Sequence, residues 1–74
     1  MARIHEIKTE TLTIITRTAD ECGDMAHHCG EMVTLTNSAI RALWWSKRAR
    51  MWRKRQSEAM ARRDQFINDN PELA

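Results

Sequence analysis

Placed on a helical wheel at about 100° per residue, the segment from Ile7 to Val33 separates into an apolar and a polar side. Leu12, Ile15, Ala19, Cys22, Ala26, Cys29 and Val33 follow one another at alternating spacings of 3 and 4, and Ile7, Ile14, Met25 and Met32 flank that stripe on one side. The opposite side collects Thr13, Thr16, Arg17, Asp20, Glu21, Asp24, His27, His28 and Glu31. The pattern predicts an amphipathic helix with a wide apolar face. Several stripe positions are small, and Gly23 and Gly30 sit beside them seven apart, so a partner helix can approach closely here.

A competing signal lies at residues 9–18, TETLTIITRT, whose β-branched residues also suit a strand. A strand followed by two helices would suggest a ribbon-helix-helix DNA binder. The apolar stripe starts inside this stretch and continues in phase past Cys29, which favours the helix.

The phase breaks around Thr34 to Ser38, where Asn37 or Ser38 can cap a new helix by accepting a bond from a free backbone N–H. In the second element Ala42, Trp45, Ala49, Trp52, Ala59 and Phe66 share one slowly drifting face, interrupted by Gln56 and Arg63, and mate with the first helix. Asn70-Pro71 ends the pattern, because proline restricts the residue before it and cannot continue the hydrogen-bond ladder. The expected fold is all-α, an antiparallel hairpin of two long helices in a single domain. The first helix should span about residues 7–34, the connection about 35–38 and the second helix about 39–68, with a frayed end over 69–74.

Ile40, Leu43, Trp44 and Met51 lie on a second side of the second helix. A two-helix hairpin buries only one of the two faces. The other must meet a second copy of the chain, meet a foreign partner, or remain as a large apolar patch. A homodimer forming a four-helix bundle, with Trp44 in its core, is the first expectation at this chain length, where a single core is marginal without self-association. The sharper alternative makes Trp44 a binding hot spot.

Charge changes the picture of the same stretch. Across its 74 residues the chain has a formal net charge of +2, but residues 41–63 hold nine of the twelve Lys and Arg and only one acid, Glu58. Residues 1–40 carry three basic and six acidic residues, and residues 64–74 carry three acids alone. The middle of the chain is where an anion would go. Within a dimer the acidic face of the first helix (Asp20, Glu21, Asp24 and Glu31) could neutralise part of this charge, weakly, because surface pairs contribute about 0–1 kcal/mol. Alternatively the arginines track phosphates, with Trp52 stacking on a base.

The run Arg48-Ala-Arg-Met-Trp-Arg-Lys-Arg-Gln56 resembles the arginine-rich helices by which some viral proteins bind RNA stem-loops. The likeness is one of composition over this stretch, shared with membrane-surface and calmodulin-target peptides, and it assigns no family. The small size and dense basic helix are in the style of phage accessory proteins.

Chemistry finds little purchase. Asp20, Asp24, His27 and Glu31 are spaced 4, 3 and 4 on the polar face, a weak candidate for a metal if duplicated across a dimer axis, and otherwise a solvated acidic face. Cys22 and Cys29 are two helical turns apart, roughly 10 Å, too far for an intrachain disulfide. They project to the core side while His27 and His28 project away, so no thiolate meets a base within this helix. No glycine-rich phosphate loop is present. The chain is expected to have no enzymatic activity, no cofactor and no small-molecule substrate. No apolar run approaches the roughly 18 residues of a membrane span, and no signal-peptide pattern opens the chain, so a cytoplasmic location is expected.

The functional expectation is a small regulatory or inhibitory protein docking onto a larger protein through Trp44, Lys47, Arg48, Met51, Trp52 and Arg55. The alternative is RNA or DNA binding, with Arg48, Arg50, Arg53, Lys54 and Arg55 on phosphates.

Overall fold

In the computed structural model, which describes residues 2–74, helix α1 (Ala2–Leu35) is followed by a three-residue connection and helix α2 (Ala39–Asp69). A short 3₁₀ turn, Pro71–Leu73, ends the chain. The two helices pack against each other as an antiparallel hairpin, a rod of 57 × 16 × 13 Å.

Residues 9–18 are helical throughout. The strand reading fails here for a local reason besides the apolar phase. Hydroxyls that make a threonine-rich segment ambivalent are turned back onto the helix: Thr9 Oγ1 donates to the His5 carbonyl at 2.9 Å, Thr11 to Ile7 at 2.8 Å, Thr13 to Thr9 at 3.0 Å and Thr18 to Ile14 at 3.0 Å. Each side chain thereby finds its acceptor within the same helix. The helix begins at Ala2, ahead of the start near residue 7 that the apolar stripe suggested. The stripe marks what is buried, whereas the helix extends past it into residues with no inward face.

Ser38 caps α2. Its backbone is extended (φ −99°, ψ 124°) and its Oγ accepts from the Arg41 N–H at 3.3 Å. The Thr36 N–H closes the end of α1 on the Met32 carbonyl at 3.1 Å, and Thr36 Oγ1 accepts from the Ser38 N–H at 3.3 Å. At the far end the Asn70 side chain donates to the Phe66 carbonyl at 2.9 Å before proline stops the ladder. The terminal residues 71–73 form a 3₁₀ turn, tied to α1 by Lys8 Nζ and Glu72 Oε1 at 3.2 Å. The Glu72 carboxyl is held below the usual carboxylate range, first by its own backbone N–H and then by the Lys8 ammonium. Its contribution is therefore present above that range and fades as pH falls through the lowered value.

The core is thin. Its buried members are Ala19, Cys22, Ala26 and Cys29 of α1 and Ala49 and Ala59 of α2, all small, with larger residues such as Ile15, Trp45, Trp52 and Phe66 only partly covered. Small residues on both facing stripes let the helices lie close, and close approach leaves little room between them for a large side chain. At Gly23 a Cβ would meet the Gln56 amide nitrogen at 2.6 Å, whereas at Gly30 it would meet nothing within 4 Å. The space beside Gly23 is thus taken by the Gln56 side chain, while Gly30 faces open space.

Candidate functional site

Exposed large apolar side chains lie toward both ends of the hairpin, Ile4, Ile7 and Ile14 toward the open end and the bulkier group, which includes Trp44, at the turn. Leu35 is 72% exposed, Ile40 82%, Leu43 58% and Trp44 51%. The short connection brings the end of α1 and the start of α2 together, and Met32, Leu35, Arg41, Trp44 and Trp45 line an open depression of about 850 Å³ there. Its lining contains no acid.

Trp44 and Trp45 meet edge to face with centroids 4.6 Å apart, and Trp45 in turn meets the His28 ring of α1 at 5.8 Å. The Arg48 guanidinium lies over the Trp44 ring, 4.8 Å from its centroid. His28, Trp45, Trp44 and Arg48 therefore form a continuous surface that crosses from one helix to the other. Two turns further along, Arg55 covers the Trp52 ring, again at 4.8 Å. Arginine over an indole face is attracted by the ring quadrupole and keeps its hydrogen-bonding edge free for a partner.

Trp44, Arg48, Met51 and Arg55 stand at spacings of 4, 3 and 4 and so form one ridge along the flank of α2. The structure brings these four together. Trp52 is half-buried toward α1, with its indole Nε1 buried and unpaired. It is a component of the hairpin interface, and its ring is already stacked by Arg55. Lys47, Arg50 and Lys54 are exposed on the side of α2 away from α1, and Arg53 is exposed on the flank opposite the Trp44 ridge. The basic residues grouped as nucleic-acid contacts are thus spread around the helix.

Among the described residues the ion pairs are Lys8–Glu72 and His27–Glu31, so no Arg or Lys of α2 has a carboxylate partner. The acidic face of α1 does not neutralise the basic helix within one chain. Asp20, Asp24, His27 and Glu31 are all exposed, with His27 Nε2 2.9 Å from Glu31 Oε1. Among the described residues no group of three or more His, Cys, Asp or Glu gathers closely enough to hold a metal ion. Cys22 and Cys29 are buried free thiols facing α2.

Comparison with family models, curated proteins and solved structures finds no match. The functional argument rests on this geometry. No helix among the described residues is long and apolar enough to cross a membrane.

Arg41, Trp45, Met32 and Leu35 escaped the sequence reading of the site. Trp45 belongs to the face that mates with α1, and Leu35 falls where the apolar phase breaks, so neither is singled out by periodicity. Only the tight connection makes them neighbours of Trp44.

Proposed function

We propose that this chain is a small regulatory or inhibitory protein without catalytic activity, which docks onto a larger protein through the Trp44 end of its hairpin. One observation carries the reading: among the described residues every buried side chain is Ala or Cys, while Leu35, Ile40, Leu43 and Trp44 are exposed at the turn end. A hairpin with so thin a core gains most by covering such a patch, and a half-exposed Trp stacked by an Arg is the combination in which interface hot spots are enriched.

A second copy is the competing cover. It would complete a four-helix bundle and turn Trp44 into core. Nucleic acid is the alternative supported by the unpaired arginines and lysines of α2.

The test is capture of the tagged chain and of its Trp44→Ala variant from a lysate of the host cells, with nuclease. Trp44 lies outside the seam between the helices, so the variant should keep its helical content by circular dichroism while losing a discrete, nuclease-resistant protein partner. Retention of the same partner by the variant overturns the reading, as does retained material that disappears with nuclease and high salt.

A further inference from the structure

On α2, Arg41, Arg48, Arg55 and Arg62 recur every seven residues, and Trp44 and Met51 fall between them at spacings of 3 and 4. Seven residues of helix are two turns, so these four positions form a row along one flank with a repeat of roughly 10 Å, interrupted by Glu58 between Arg55 and Arg62. The row continues the surface that begins with Arg48 over Trp44. Across the hairpin seam at the turn end, His28 and Met32 of α1 border the same surface. Antiparallel packing keeps that side of α1 beside the row, which adds Met25 and Ile14, both exposed. The result is one flank of the hairpin on which apolar residues of both helices lie beside the arginine row.

This alternation of 3 and 4 is the spacing of a coiled-coil seam, and α2 already uses one such seam, through Ala42, Trp45, Ala49 and Trp52, to hold α1. The second, parallel seam has nothing on it. Resting on the docking reading above, we infer that its occupant is an acidic amphipathic helix of the partner protein, laid along the hairpin as a third helix with carboxylates facing Arg41, Arg48, Arg55 and Arg62.

Two features select this occupant. A helix with acids at seven-residue intervals repeats at the same roughly 10 Å, so each carboxylate can face one guanidinium while its apolar side covers Trp44 and Met51, which a phosphate backbone would leave unused. A second copy of this chain fits worse. On that flank of α2 it offers Glu58 and Asp69 against four arginines, so packing two such faces sets mostly like charges against each other in a desolvated seam.

The probe is a synthetic four-heptad peptide with leucine at its seam positions and glutamate at the flanking ones, compared with a peptide of the same seam carrying lysine instead. Binding to the intact chain is read by titration calorimetry at two salt concentrations, alongside sedimentation of the chain alone. The glutamate peptide should bind at 1:1 and the lysine peptide should not. R48E/R55E should weaken the glutamate peptide roughly tenfold or more and gain binding to the lysine peptide, a reversal that loss of folding cannot produce. Equal binding of the two peptides overturns the inference. So does a chain dimer whose stability is unchanged in R48E/R55E and which excludes the peptide, or displacement of the peptide by an RNA duplex at equal charge concentration. Peptide failure with partner capture still lost in Trp44→Ala would refute the acidic helix while leaving the docking surface standing.

Discussion

Trp52 and Trp44 are eight residues apart on one helix and do opposite things. Trp44 offers a half-exposed ring edged by Arg48. Trp52 has its ring capped by Arg55 and its Nε1 buried without an acceptor. A buried donor left unpaired is unfavourable by about 1–3 kcal/mol, enough to offset much of what the larger ring gains by packing. Trp52→Phe should therefore leave stability within about 1 kcal/mol of the parent in urea unfolding followed by circular dichroism. A loss well above about 2 kcal/mol would mean that indole packing outweighs the orphaned N–H.

At the scale of the helix, the two glycines of α1 separate propensity from packing. Both have ordinary negative φ, so alanine introduces no backbone strain. Gly30 faces open space and Gly23 faces the Gln56 amide. Gly30→Ala should stabilise the hairpin by up to about 1 kcal/mol, while Gly23→Ala should gain less because the Gln56 side chain must swing away. Thermal unfolding of the two variants checks the order, and a larger gain at Gly23 would contradict it.

The hairpin itself was legible at this scale: the apolar phase from Leu12 to Val33 is the stripe that packs on α2, and Ser38 is the cap it looks like. The ends were not. Residues 3–6 are exposed and bury nothing that would advertise a helix, and the Lys8–Glu72 tether joins positions too far apart in sequence for any local pattern to link them. Of the site, Trp44, Arg48, Met51 and Arg55 could be read as one flank from spacing alone. Their continuity with His28 and Met32 depends on which side of α1 the hairpin turns toward them, and only the fold supplies that.

For the whole molecule the governing fact is an imbalance. A rod 16 × 13 Å in cross-section encloses one layer of small side chains, and leaves outside it most of the bulk that could have made a core. The charge is distributed the same way, with the acids of α1 and the arginines of α2 unpaired with one another among the described residues. Both imbalances would be relieved by the proposed partner, apolar where it meets Trp44 and acidic where it meets the arginine row.

The most direct measurement is photo-crosslinking in the host cell from a benzoylphenylalanine placed at position 44, with the adduct identified by mass. The account predicts an adduct to a larger, unrelated protein, through a helical segment rich in Asp and Glu. An adduct of twice the chain's own mass, or a nuclease-sensitive adduct, would contradict it.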